Sequence, residues 1–317
     1  MWNASPARSN KMADERQQLI RKKANLERRA LIYELTRAFF RREGFLEVET
    51  PVRMPELAPE QYIKPFASEG WFLSTSPELH MKRLMAAGYE KLFQFSRCFR
   101  KGERGQYHNP EFTLLEWYRT SADYLQMLDD TEKLVVELAE LGLGSRIKYQ
   151  GQQINLKTPW QRITAREAFS KSAGWDPVSQ PDHQRFDTDL VDKVVPSFRG
   201  QPTLLLEYPA AMASLARLKP GNPEVAERGE VFIGGLEIAN AFSELRDARE
   251  QSKRFKEEIN LIQKEQGRKA EMPARFIQAL PNLPECGGIA LGVDRLVMLL
   301  CDAPSIDDVL AFPSDSI

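Results

Sequence analysis

Cysteine is scarce in this chain: Cys98, Cys286 and Cys301 are the only three. An odd number without CxxC spacing excludes a closed disulfide framework and gives no zinc signature, so they read as buried free thiols. Net charge is scarce too. The 44 basic residues against 45 acidic ones leave −1, which removes any whole-molecule electrostatic case for binding nucleic acid or membrane. No apolar run approaches a membrane span, and the first residues are polar rather than the apolar core of a signal peptide. Internal repeats and low-complexity tracts are absent. The expectation is a cytoplasmic protein that needs no stapling, since 317 residues bury a substantial core as one large or two ordinary domains.

The chain is organised around Leu92 to Tyr118, LFQFSRCFRKGERGQYHNPEFTLLEWY, two apolar runs joined by a basic loop with Gly102 and Gly105. This predicts a hairpin with a charged tip. Strand side chains alternate, so Gln94, Ser96 and Arg100 share one face of the first strand, and Phe112, Glu116 and Tyr118 one face of the second. Phe93, Phe95, Phe99, Leu115 and Trp117 point into core. The polar face gathers a guanidinium, an aromatic ring, a carboxylate and a phenol, suited to a ligand with both phosphate and ammonium groups.

Ahead of the hairpin, residues 1–13 read as a frayed, flexible N-terminus and Asp14 to Arg42 as a helix with Leu31, Leu35, Ala38 and Phe39 on one stripe. Its Lys- and Arg-rich part, Lys11 to Arg29, reads as a solvated face more than as an RNA footprint. Phe45 to Thr50 predicts a strand closed by Pro51, followed by an irregular Pro-rich connection to Phe66. A strand at Trp71 to Ser74 leads into Thr75 or Ser76 as helix cap, with Pro77 and Glu78 in the first turn. After the hairpin come a helix at about Ala122 to Leu141 and an insertion at about 147–198. Within the insertion, Thr164 and Glu167 cap a helix at Ala165 to Ser172. Thr203 to Tyr208 reads as a buried strand.

Two later stretches complete the pattern. Arg228 to Leu245, RGEVFIGGLEIANAFSEL, predicts strand, glycine turn and strand, with Glu230 and Glu237 flanking Gly234 and Gly235. Two carboxylates there can converge on a hard cation such as magnesium, which keeps waters and phosphate oxygens as its other ligands. Asn240 and Glu244 share a strand face, where a carboxylate can hold a substrate ammonium. Charged helices follow, from Asp247 to about Arg268 and from Ala274 to Leu280. Gly287 to Arg295 alternates small and aliphatic residues, leaving one strand face bare for a flat ligand. Arg295 opens the next helix, where the dipole disfavours a cation unless it has an anionic partner.

These residues resemble the catalytic domains of class II aminoacyl-tRNA synthetases, an α+β fold with an antiparallel sheet flanked by helices. GFLEVETP at Gly44 to Pro51 is similar to the family's dimer-interface motif, the hairpin to its second motif, and Gly288 to Arg295 to its third. TSPE, HNPEF, EIANAFSEL and GVDR resemble the lysine branch. The charged helix ahead of the first motif cannot form that branch's anticodon-binding barrel. The closer resemblance is therefore to its truncated paralogues, the elongation factor P lysine ligases, which transfer a β-lysyl group to a lysine of that translation factor.

The resemblance implies one catalytic domain over 14–317, a homodimer, ATP and Mg²⁺, lysine or β-lysine as substrate, elongation factor P as acceptor, and no stable tRNA binding. It implies catalytic roles for Arg100 and Arg295, with Glu103, His108, Asn109, Phe112, Glu237, Ile238 and Gly292 also at the nucleotide. Ser76, Glu78, Glu116, Tyr118, Asn240, Glu244 and Ala290 would meet the amino acid, and Glu230 and Glu237 the metal. In that chemistry an ionised carboxylate attacks the α-phosphate in line, so the protein supplies alignment and charge neutralisation rather than a nucleophile. Three positions depart from the tRNA ligases: Gly102 replaces a glutamate at the adenine, Ala290 replaces a glycine as in the paralogues, and Tyr107 replaces an arginine.

Overall fold

The computed structural model describes residues 6–142, 146–198 and 200–316. Its main sheet runs, in spatial order, Leu46–Glu47, Lys91–Phe99, Glu111–Thr120, Cys286–Gly292, Leu236–Ser243, Asn222–Ile233, Thr203–Pro209 and Gln161–Thr164, with Leu218–Lys219 paired beside Asn222–Ile233. The central strands are antiparallel, and two of their pairs are hairpins, Lys91–Phe99 with Glu111–Thr120 and Asn222–Ile233 with Leu236–Ser243. Both outer pairs are parallel: Leu46–Glu47 beside Lys91–Phe99, and Gln161–Thr164 beside Thr203–Pro209. The sheet is thus mixed at its edges, because those short strands enter from connections long enough to cross over.

Alternation along the hairpin divides the two faces. Phe93, Leu115 and Trp117 join a core with the helices Pro6–Arg42, Tyr124–Gly142 and Val293–Cys301. Leu92 and Tyr118 point the opposite way, onto Glu78–Ala86, Ala248–Gln266 and Ala274–Ala279, through Met81, Met85, Phe255 and Phe276. One face is sealed by helices, and the other is left partly open beside Tyr118.

Several boundaries differ from expectation. The first helix starts at Pro6 rather than Asp14, since proline is tolerated in a first turn and no helix breaker follows it. Its buried stripe is Ile32, Thr36, Phe39 and Phe40, whereas Leu31 is 41% exposed. The predicted strand Phe45 to Thr50 shrinks to Leu46–Glu47, with one further bond from Val48 N to Phe93 O. Pro77 takes the cap position of Glu78–Ala86, and Ser76 Oγ accepts from Glu78 N at 3.0 Å. Thr164 and Glu167 do form the reciprocal capping box. Gly144 falls outside the described residues.

Segment 146–198 packs onto one end of the sheet. It supplies the outer strand Gln161–Thr164, and Ala168, Phe169, Trp175, Phe186 and Phe198 pack against Leu205, Tyr208 and Phe232 of the sheet. Cys98 and Cys286 are buried and unpaired, and Cys301 is free and half-buried. Among the described residues no helix is long and apolar enough to cross a membrane.

Candidate active site

The open face holds a cavity of about 450 Å³. Its floor is the bare side of Cys286–Gly292, where Gly288 lies opposite Tyr118, and Ala290 opposite Glu116 and Asn240. Gly288 has to lack a side chain: a Cβ there would stand 2.2 Å from Glu244 Oε1 and from Tyr118 Cε1. Every predicted site residue lines the cavity except Glu230. From Gly288 to Gly292 the floor spans about 14 Å at roughly 3.4 Å per strand residue, and the two ends differ in chemistry.

The Gly288 end is acidic. Ser76 Oγ donates to Glu116 Oε1 at 2.7 Å, and the Tyr118 hydroxyl donates to Glu116 Oε2 at 2.9 Å. Burial, and then the neighbouring Glu78 charge, push the Glu116 carboxyl up to about 8. Lys82 joins this group, although nothing in the sequence singled it out. Its ammonium lies 2.5 Å from Glu78 Oε1 and also pairs with Glu244. Burial opposes the Lys82 charge, but Glu244 and Glu78 outweigh it and raise the ammonium above the usual lysine range. Burial likewise raises Glu244, against the pull of Lys82. Glu244 Oε1 keeps no hydrogen-bond partner among the described residues. Three carboxyl groups crowd around one built-in ammonium, and burial and mutual repulsion resist their ionisation until a further cation joins them, the complement of an amine-bearing ligand.

The Gly292 end is basic. Arg100 lies over the Phe112 ring, 5.0 Å from its centroid, and its Nε is buried without a partner among the described residues. An unpaired buried guanidinium donor beside an aromatic face suits a phosphate next to a stacked base. Arg295 has the anionic partner its helix position demanded, donating to Glu237 Oε2 at 3.2 Å. It also donates to His108 Nε2 at 2.6 Å. Burial and the Arg295 charge lower the His108 pKa, keeping the ring neutral and able to accept that bond. Glu103 lines the wall nearby.

Asn109 borders the cavity with its amide already engaged: Nδ2 donates to Glu111 O at 2.6 Å, and Oδ1 accepts from Ser314 N at 3.1 Å. It braces the loop. Asp294, also missed in the sequence, accepts from Arg29 at 2.6 Å and from Thr113 N at 2.8 Å. That buried carboxylate ties the first helix and the hairpin to the helix carrying Arg295.

The predicted carboxylate pair is split. Glu237 is on the wall, whereas Glu230 lies behind it, 2.7 Å from Arg228, which takes its place at the cavity. Glu230 lies opposite Asn240 and is held there, accepting from Arg228 and from Asn240 Nδ2 at 3.3 Å, while Phe232 lies opposite Glu237. Burial and the Glu237 charge still raise Glu230, so the two carboxylates repel as a pair that a cation would relieve. Asn240 Oδ1 is also buried without a partner. Among the described residues no cluster of three or more His, Cys, Asp or Glu forms a protein-only metal cage. The donor set fits a magnesium ion that takes its remaining ligands from phosphate and water.

Comparison with known proteins agrees with this geometry. The model of tRNA synthetases class II (D, K and N) matches residues 9–316. Lysine-tRNA ligases from Moorella thermoacetica and Thiobacillus denitrificans are each 39% identical over 90% of this chain, which covers 64% and 63% of their respective lengths. A third, from Carboxydothermus hydrogenoformans, is 37% identical over the same share and is covered to 64%. The chain thus spans less than two thirds of these relatives. The motifs, the sheet and the two-ended cavity place this chain in the class II tRNA synthetase family of the D, K and N type.

Proposed function

We propose that the cavity activates a lysine-type diamino acid with ATP, forming an aminoacyl adenylate. The observation that carries this reading is a single cavity with Glu78, Glu116 and Glu244 at one end and Arg100 and Arg295 at the other. The amino acid's ammonium groups would sit at the carboxylates, directing its own carboxylate toward a phosphate held by Arg100. Phe112 would stack on the base. Arg100 would neutralise charge developing at the reacting phosphate, and Arg295 the outer phosphates. Glu237, with Glu230 behind it, would hold magnesium, which supplies further neutralisation of phosphate charge.

Two acceptors are compatible with such an adenylate. The relatives are lysine-tRNA ligases, which supports transfer to tRNA. Ala290 supports the other reading, transfer of β-lysine to a lysine of elongation factor P: its methyl group reshapes the floor between Glu116 and Asn240. The test is intact-mass analysis of elongation factor P and of tRNA after incubation with the protein, ATP and each lysine isomer. Mass gain on the factor alone selects the protein ligase, and charged tRNA alone selects the tRNA ligase. No gain on either contradicts the proposal. A cytoplasmic homodimer of single catalytic domains accompanies this reading, supported by the exposed apolar side chains of Leu31, Leu46 and Val52 on the first helix and the GFLEVETP region. Sedimentation as a monomer at micromolar concentration would refute the dimer.

A further inference from the structure

The Pro-rich connection after Met54 is a strap across the cavity. Gln61 N donates to Glu258 Oε2 at 2.9 Å, Arg268 to Ile63 O at 3.3 Å, and Lys101 N to Lys64 O at 2.7 Å. These bonds pin the strap to the helix Ala248–Gln266, to the residue just beyond it and to the hairpin tip. They bring Glu60 onto the cavity wall with Arg100 and Glu78. The other carboxylates of the wall are largely engaged: Glu116 with Ser76 and Tyr118, Glu78 and Glu244 with Lys82, Glu237 with Arg295. Glu103 lies at the phosphate end, where its charge acts on His108. Glu60 makes no side-chain hydrogen bond or ion pair among the described residues.

We propose that Glu60 is the base that receives a proton from a primary-amine acceptor as the amine attacks the adenylate. The inference rests on the adenylate reading above and narrows its second step to amine chemistry. A lysine ammonium has no free electron pair at neutral pH, so one proton must leave before attack. Glu60 takes that proton. The nitrogen then bonds to the carbonyl carbon, the carbon–oxygen bond to phosphate breaks, and AMP departs with the second proton on its phosphate. Charges facing Glu60 come from Arg100 on the hairpin, Arg228 on its strand, Glu78 on its helix and Glu258 on the helix that pins the strap. Burial, reinforced by Glu78 and Glu258, outweighs Arg100 and Arg228 and raises the carboxyl to about 7, near the pH at which a general base works best.

The test compares two acceptors for the adenylate formed from ATP and lysine: Nα-acetyl-lysine amide, which is protonated at neutral pH, and hydroxylamine, which already carries a free electron pair. Glu60→Gln is expected to keep pyrophosphate exchange and hydroxamate formation while losing roughly 100-fold in amide formation. The wild-type amide rate should rise with pH through about 7 and then level. In Glu60→Gln it should climb about tenfold per pH unit toward the amine's pKa of about 10.4. Amide formation unchanged in Glu60→Gln overturns the proposal. So does an equal loss of exchange, hydroxamate and amide in both Glu60→Gln and Glu60→Asp, which would assign Glu60 to the first step. Exchange by the unaltered chain reports on the adenylate reading separately.

Discussion

Lys82→Met removes the ammonium that holds Glu78 and Glu244 together while keeping most of the side-chain stem. Lys82 is 2% exposed, so water does not replace the lost partner. Removing one member of a buried ion pair costs about 3–5 kcal/mol, because the partner's charge is left uncompensated. Here Glu244 has an escape: it can bind a proton, each unit of pKa shift being about 1.4 kcal/mol. Glu244 is already raised in the folded state, and loss of Lys82 raises it further. A carboxylate with a raised folded pKa contributes stability that is full below its unfolded value and is lost as pH rises through the folded value. The deficit of Lys82→Met should therefore be small near pH 5 and approach about 3–5 kcal/mol above pH 8. Urea unfolding at the two pH values measures it. An equal deficit at both, or none at either, would show that Lys82 is not the counter-ion described.

Arg100→Ala should lower ATP–pyrophosphate exchange roughly 100-fold, by comparison with removal of a single electrostatic donor elsewhere; full exchange in both Arg100→Ala and Arg295→Ala would mean the phosphate end is misassigned. Gly288→Ala should cost about 1–3 kcal/mol through overpacking and weaken lysine binding, since its Cβ would meet Glu244 and Tyr118 at 2.2 Å; calorimetric titration of lysine is the check. Thr164→Ala should cost about 1 kcal/mol in thermal or urea unfolding by removing the capping box and leave exchange unchanged, since that helix lies away from the cavity.

The positions legible in the sequence were those where one local rule decides the outcome. Arg295 at a helix start demanded an anion, and Glu237 supplies it. Thr164 and Glu167 carry their cap within four residues. Alternation put Phe112, Glu116 and Tyr118 on the cavity side, whereas Gln94 and Ser96, expected on the face of Arg100, do not line the cavity. Lys82 was invisible because an i,i+4 pair with Glu78 on a short helix ordinarily reads as a solvated pair, and only Glu244, brought over by the sheet, buries it. Glu60 was hidden in a connection whose path depends on bonds to a distant helix. Glu230 stands behind the wall because Arg228 and Asn240 hold it, partners that its position beside the glycine turn does not reveal. On the first helix, charges on every face blurred the stripe and moved the expected buried side by one residue.

The central claim is that one cavity selects an amino acid by its side-chain ammonium and activates it at the arginine end. ATP–pyrophosphate exchange with the wild-type chain, comparing lysine and β-lysine with norleucine, tests it most directly. Norleucine keeps the apolar stem and lacks the terminal ammonium. The account predicts exchange with at least one lysine isomer and at least 100-fold less with norleucine, because the buried carboxylates would be left without a partner. Equal exchange with norleucine, or none with either lysine isomer, would contradict it.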